Sequence, residues 1–527
     1  MRDNDACPVL LGGRSQRVLI YALGALTGVL AGLLAVAYRV SIEGLESARL
    51  AFLGGASWTR APAWMVLSAA AGAAVAAMLA AAPMIGGSGI PQVKAALMRR
   101  LRLDWARELP LKFAGGALGI GAGLSLGREG PSIQLGALAG AGVADLTRRS
   151  EHRRYLATAG AAAGISAAFN APLAGLLFCL EELHRSFSPV MLTCAMIASL
   201  AANAVSWILT GGGSVFALRV SATLPLGSFH LVIILGIACG LLGSLFNACL
   251  LGAQAAASRL LPGRAPRLVA VFAAGGLVAA LLPAIAGGGQ AIVERAASGE
   301  LAMDALAAII VGKFLFTVAS YASGAPGGIF LPMLAIGAAA GCLAGRGFSA
   351  LGIVEAGYGP NFAIIGMVGF FTAVVRAPIT AAVLVTEMSG SLGHFPALML
   401  VALAASVTAG LARAEPVYDL LLERLKLPVG GEAASPEPAG KMTIIRVPVL
   451  EGSRIDDCDK AGGSLPDGCV LVFIRRGDRE LVPRKAMAVL PGDILEVLVA
   501  EKEAREAKGR LAEAAAPPPG SIEKAHP

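Results

Sequence analysis

The sequence predicts an all-α polytopic membrane fold of broken helices in two related halves, followed by a small soluble α+β domain. Three observations predict it: an apolar stretch from Val18 to Ala412, Gly/Pro cuts that interrupt this stretch, and a recurrence of its own pattern. Of the 527 residues, 56% are hydrophobic and 15% charged, with a mean hydropathy of +0.71, whereas a soluble domain carries about 25% charged residues. That excludes a soluble globular fold. With 67 glycines and only 5% aromatics, the apolarity comes from Ala, Gly, Leu and Val, residues that let membrane helices approach closely. A spanning helix needs about 20 apolar residues, so Val18–Ala412 has room for on the order of fifteen helical segments. Receptors with one or a few spans are excluded too.

Residues 1–17 read as a cytoplasmic N-terminus. Arg14 and Arg17 precede an apolar run from Val18 to Ala37, which is longer than the about 7–15 residues of a signal-peptide core and long enough to span. The retained arginines put the N-terminus on the cytoplasmic side. The net charge of +8 is spread in short clusters such as Arg99, Arg100, Arg102 and Arg148, Arg149, Arg153, Arg154. These are loop charges that set topology rather than a nucleic-acid face. The eight cysteines contain no Cys-x-x-Cys pair, and Cys179, Cys194, Cys239, Cys249 and Cys342 lie in apolar tracts. They read as small core residues; neither metal nor cofactor is predicted.

Long tracts such as Leu231–Ala257 alternate with pieces too short to span, cut at Gly86-Gly-Ser-Gly-Ile-Pro91, Gly127-Arg-Glu-Gly-Pro131 and Gly324-Ala-Pro-Gly-Gly-Ile-Phe-Leu-Pro332. Broken helices mark transport pathways. Phe169-Asn-Ala-Pro172 followed by Glu181 recurs as Val375-Arg-Ala-Pro378 followed by Glu387, with both features displaced by 206 positions, and Lys112-Phe113 is echoed by Lys313-Phe314. Two halves result, about 18–215 and 225–425 within a membrane domain of 18–427, with a substrate site expected where they meet. Residues 428–441 are a Gly/Pro/Ser linker. Residues 442–503 are strand-rich and polar, with turns at Gly477-Asp478 and Gly492-Asp493, which predicts a cytoplasmic α+β regulatory domain. Residues 504–527, ending in a run with Pro517-Pro-Pro519, read as a frayed helix and disordered tail.

Each cut has the form of a helix start, with Pro91, Pro131 and Pro332 in the first turn, where a missing N–H costs nothing. Free N–H groups and the positive dipole end make an anion site there without a formal charge. A full positive charge would hold an anion too firmly for conduction. Ser88 would ordinarily cap its helix, and its hydroxyl can instead donate to an ion. Glu129 puts a carboxylate at membrane depth, a functional position by default. The bland alternative is an ion pair with neighbouring Arg128. An anion about 4 Å from this carboxylate would repel it by roughly 4 kcal/mol at an effective dielectric near 20, so the glutamate can trade a proton against an anion. Glu181 and Glu182, followed by His184, end the run Ala161–Leu180. They read either as a solvated helix end or as an aqueous proton donor to a buried group such as Glu129. Tyr418 reads as an interfacial belt aromatic, or as a hydroxyl that closes an anion site from below.

These residues together resemble the CLC family of chloride channels and chloride/proton exchangers. Gly87-Ser88-Gly89-Ile90-Pro91, Gly127-Arg128-Glu129-Gly130-Pro131 and Gly328-Ile329-Phe330-Leu331-Pro332 are similar to its three selectivity-filter motifs, in order. The resemblance covers about residues 18–425. It implies inverted repeats and a homodimer with one ion pathway per subunit, in a bacterial inner membrane with both termini cytoplasmic. Chloride and protons would be the substrates. Ser88, the amides of Ile329 and Phe330, and Tyr418 would bind chloride; Glu129 would be the external gate and proton carrier, and Glu182 the internal proton-transfer residue. Gln92 stands where many members have Glu. Residues 442–501 resemble the C-terminal module of potassium-transport regulator subunits rather than the paired nucleotide-binding modules of some members, which implies an unidentified small ligand there. A passive chloride channel is the main rival, and Glu182 argues against it. Nitrate and fluoride are rival substrates, and Ser88, where nitrate-preferring relatives carry Pro, favours chloride. The Gly-x-Ser-Gly pattern at Gly86–Gly89 also fits an intramembrane serine protease, which would need His230 or His394 as base.

Overall fold

The computed structural model describes residues 14–516 apart from 55–56, 185–187, 213–215, 217–222, 426–441, 452, 454, 456–469, 478, 485–486 and 501–502. The expected linker 428–441, residues 1–13 and the end of the expected tail from Pro517 lie outside the described residues. The chain divides into two units, one up to residue 429 and one from residue 430, each taken by itself below.

Among the described residues the first unit is helical, with one isolated β-bridge between its interrupted segments. Its helices are α1 (Arg14–Leu53), α2 (Ser57–Ala81), α3 (Ile90–Leu97), α4 (Trp105–Gly121), α5 (Glu129–Leu146), α6 (Arg153–Phe169), α7 (Pro172–Phe178), α8 (Pro189–Thr210) and α9 (Phe229–Leu260). Then follow α10 (Arg264–Leu281), α11 (Gln290–Ala297), α12 (Met303–Ala322), α13 (Phe330–Ala350), α14 (Gly359–Val375), α15 (Pro378–Ser389), α16 (Phe395–Leu411) and α17 (Val417–Glu423). Eight of the described helices are long and apolar enough to cross a membrane. Along α9, Ile233, Ile237, Leu241 and Leu245 are exposed at near-helical spacing, a stripe suited to hydrocarbon rather than water.

The halves recur helix by helix. Residues Gly89 and Gly289 both start short helices in the left-handed conformation, φ 93° and 102°. Asn170 and Arg376, φ 52° and 68°, end α6 and α14 in the same left-handed conformation, and Ala-Pro then restarts the chain as α7 and α15. The core of each half is a pair of helices in backbone contact. A Cβ on Gly136 of α5 would lie 2.0 Å from the carbonyl oxygen of Gly160 on α6, and one on Gly341 of α13 would lie 1.9 Å from that of Phe362 on α14. Lipid offers no hydrophobic drive for two helices to associate, so close backbone approach supplies the contact energy.

The second unit is α+β. Strands β1 (Met442–Pro448), β2 (Val470–Arg476), β3 (Arg479–Leu481) and β4 (Ile494–Ala500) form an antiparallel sheet in the order β1-β4-β2-β3. The sequence shows three of these strands; β3 is a three-residue return from the Gly477 turn. Buried Asp493 accepts from the Arg476 guanidinium at 2.8 and 2.9 Å and from the Leu490 N–H at 2.8 Å. Burial pushes its carboxyl up, but these donors outweigh burial and hold it below the usual range.

Ala504–Ala514, where the sequence reads a frayed helix leading into a disordered tail, is a packed helix. It forms α18, and Ala507, Leu511 and Ala515 are buried with Ile445, Val447 and Val497 in the domain core. The three positions recur every fourth residue and give one narrow apolar stripe. Its polar surroundings hid it until a sheet was there to receive it.

Gly136→Ala should force α5 and α6 apart and cost roughly 1–3 kcal/mol of overpacking, read as a lower melting temperature of the detergent-solubilised protein. Gly252→Ala on α9, where a Cβ would meet nothing within 4 Å, should leave the melting temperature unchanged or slightly higher.

Candidate functional site

Three interrupted segments converge where the halves meet. The Gly127 N–H donates to the Gly328 carbonyl at 2.6 Å and the Gly328 N–H returns the bond at 2.8 Å, as an isolated antiparallel bridge. The Gly87 N–H donates to Ala325 at 3.1 Å, and Gly327 donates to the Gly87 carbonyl at 2.9 Å. A Cβ on Gly130 would lie 2.7 Å from the Ser88 oxygen and 3.2 Å from the Gly328 Cα. All three segments thus pass through one glycine-lined point, and α3, α5 and α13 start from it.

Ser88 is buried, and its Oγ accepts the Ile90 N–H at 3.2 Å. That bond uses a lone pair and leaves the hydroxyl hydrogen to donate elsewhere. Ile329 and Phe330 are buried, and the Phe330 ring packs on Phe371 at 4.4 Å and Phe169 at 5.1 Å. The helix start of α13 is thereby fixed by aromatic packing. Tyr418 is fully buried rather than interfacial, and its hydroxyl has no hydrogen-bond partner. It lies in electrostatic reach of Tyr321, Glu182 and Glu129. Tyr321, which sequence reasoning missed, sits beside Ser88. Neither histidine of the protease reading bonds to Ser88: His394 pairs with Ser391, and His230 with the Gly227 carbonyl.

Glu129 is buried in the first turn of α5, with neither carboxylate oxygen in a well-formed hydrogen bond. The side chain folds back over Gly127, beside its own amide and that of Leu331. A carboxylate therefore lies at the amide ends of α5 and α13, the place an anion would take. Arg128 does not pair with Glu129. It bonds Glu43 at 3.3 Å, which in turn holds Arg39 at 2.7 Å.

A cavity of about 420 Å³ reaches Ser88 and Tyr321, with Arg264, Arg267 and Arg424 on its walls. Sequence reasoning missed these cations because they come from two segments far apart in the chain, the start of α10 and the end of α17. An anion entering there meets positive charge at the rim and only dipoles at the end.

Glu181 and Glu182 do not end the helix in solvent. After α7 the chain widens into a π turn, Cys179–His184, whose adjacent carboxylates point to different partners. Glu182 is buried and accepts from Lys94 Nζ at 2.7 Å; the same ammonium donates to Asp419 at 2.5 Å. Glu181 accepts the Thr380 N–H at 2.8 Å and the Ile379 N–H at 3.3 Å, capping α15, while Glu387 of α15 accepts the Ala174 and Leu173 N–H groups at 2.8 and 3.1 Å, capping α7. The recurrence seen in sequence is thus a reciprocal exchange of caps. Lys112 and Lys313, the other echoed pair, each donate to two carbonyls before α3 and α11: Ile85 and Gly87, and Ile285 and Gly287.

Glu181→Ala and Glu387→Ala should each cost roughly 1–3 kcal/mol, because each leaves two helix-start N–H groups without their acceptor, one of them part-buried. Thermal unfolding in detergent checks this. Glu300→Gln, an exposed partner of Arg295, should leave stability within about 0.5 kcal/mol.

A family model described as voltage gated chloride channel matches residues 71–410. The H(+)/Cl(-) exchange transporter ClcA of Cronobacter sakazakii is 37% identical over 438 residues, covering 79% of this chain and 91% of the relative. ClcA of Yersinia pestis is 34% identical over 457 residues, covering 83% and 92%. Among solved structures, a slow cyanobacterial Cl−/H+ antiporter matches at 32% identity with a TM-score of 0.72, covering 77% of this chain and 97% of that one.

Proposed function

Because the chain belongs to the voltage gated chloride channel (CLC) family, we propose that it is an integral membrane antiporter exchanging chloride for protons. The observation that carries this reading is Glu129: a fully buried carboxylate with no well-formed hydrogen bond, lying at the amide ends of two helices.

Chloride enters from the arginine-rimmed cavity and is held by the Ser88 hydroxyl, the amides of Ile329 and Phe330, and the Tyr418 hydroxyl. The unpartnered Tyr418 O–H supports this, since a buried donor without an acceptor costs about 1–3 kcal/mol until one arrives. The three filter segments Gly87–Pro91, Gly127–Pro131 and Gly328–Pro332 supply this site with dipoles and no formal cation, so binding stays reversible. While ionised, Glu129 takes the anion's place. Once protonated, it gives up those amides and chloride moves in, so one proton is exchanged against anion occupancy. Glu182 hands protons to Glu129 from the inner side, and its burial on Lys94 favours exchange over a passive channel. Ser88, not Pro, favours chloride over nitrate.

The working assembly is a homodimer with one pathway per subunit, in a bacterial inner membrane with both termini cytoplasmic. The unit from residue 442 is regulatory and takes a small ligand; it supplies no filter residue and no nucleic-acid face.

In proteoliposomes recording both ions, Glu129→Ala should keep chloride flux and lose proton coupling; proton pumping at the normal ratio would refute the assignment. Glu182→Gln should cut proton flux by about a hundredfold, the scale of one positioned proton-transfer group, while chloride still moves. Loss of both fluxes in folded protein would make Glu182 structural and leave a passive channel as the better reading.

A further inference from the structure

We propose that Asp419 is the water-facing proton acceptor of the inner pathway, and that Lys94 relays its proton to Glu182. The inference rests on the exchanger reading above and deepens it.

Glu182 is the proposed inner proton residue, yet its side chain is only 2% exposed, so water does not load it directly. The neighbours that the sequence offers as donors are engaged elsewhere. Glu181 caps α15 with both oxygens, and His184 Nε2 bonds the Thr158 hydroxyl at 2.7 Å. What touches Glu182 instead is Lys94, itself 5% exposed, at 2.7 Å. Lys94 also touches Asp419 at 2.5 Å, and the Asp419 side chain is 26% exposed. The accessible end of this chain of three groups is therefore Asp419.

The arrangement is connected in both directions that exchange requires. Asp419 is adjacent to Tyr418 on α17, and the same short helix leads to Leu421 and Arg424 on the wall of the Ser88 cavity. The mouth of this cavity thus lies against the helix that carries the acceptor. The partners lie 88 and 325 residues from Lys94 in the chain, so no local helical rule accounts for the contact. Two acids share one base, so the set has a proton to gain, and taking it removes a charge from a poorly solvated place.

The step balances. Asp419 takes a proton from water at the mouth and becomes a carboxylic acid. The Lys94 ammonium gives one of its protons to the Glu182 carboxylate, and the resulting amine takes the proton of Asp419. The O–H bond of Asp419 and one N–H bond of Lys94 break; an O–H bond on Glu182 and a new N–H bond on Lys94 form. Asp419 ends as carboxylate and Lys94 as ammonium, ready to repeat, and nothing is oxidised or reduced.

The test uses the full chain in proteoliposomes with chloride and proton fluxes recorded together. Asp419→Asn should lower the proton-to-chloride ratio by about tenfold or more, with chloride flux retained, and Asp419→Glu should restore most of the ratio. Asp419→Ser, smaller and still polar toward Lys94, is measured alongside and should uncouple in the same way should the asparagine variant not fold. A wild-type ratio in Asp419→Asn or Asp419→Ser overturns the proposal, as does an Asp419→Glu variant no better than Asp419→Asn. Equal loss of both fluxes in folded protein also overturns it, because α17 would then be merely structural. Glu182→Gln separates the two levels. If it retains proton flux, the exchanger assignment of Glu182 fails; if it loses proton flux while Asp419→Asn keeps the normal ratio, only the relay fails.

Discussion

The two backbone hydrogen bonds exchanged by Gly127 and Gly328 are the contact on which the rest of the pathway depends. Backbone at membrane depth must find partners within the protein, because hydrocarbon offers none. By pairing with each other, the interrupted segments of the two halves satisfy that demand outside any regular helix. Glycine suits this close approach: a Cβ on Gly328 would come within 3.1 Å of the Gly130 amide, and one on Gly127 within 2.4 Å of the Glu129 carboxylate, which would then have to leave its place. With the bridge in place, α5 and α13 can begin beside one another with their first amides free.

Buried charge is arranged around that point so that no cation stands at it. Lys112 and Lys313 are fully buried, but both spend their ammonium groups on carbonyls of the turns before α3 and α11. Holding those carbonyls away leaves the opposite, amide side of the Ser88 turn for an anion. Arg128 is drawn off by Glu43, and Lys94 by Glu182 and Asp419. What remains at the centre is dipolar, with one carboxylate, Glu129.

The halves are joined a second time through Glu181 and Glu387, each capping a helix of the other half. This exchange couples α7 to α15 and sets where the π turn releases Glu182 inward. The same turn carries Glu181, which reaches across to α15, and Glu182, which is buried on Lys94.

The sequence by itself determined the class of fold, the three places where apolar helices are interrupted and the carboxylate Glu129 at one of them, because these are written in short-range signals: apolar run length, Gly and Pro at helix starts, and one carboxylate amid apolar residues. Tertiary structure alone decided that Lys94 joins Glu182 to Asp419, that Arg128 serves Glu43 rather than Glu129, that Tyr418 is buried, and that Ala504–Ala514 packs on a sheet. The physical reason is distance along the chain. Local spacing fixes helices and turns within a few residues, whereas a charge pair separated by tens or hundreds of residues exists only after folding brings its members together. Glu181 and Glu182 show the limit: adjacent and chemically identical in sequence, they meet different partners, Glu181 the start of α15 and Glu182 Lys94.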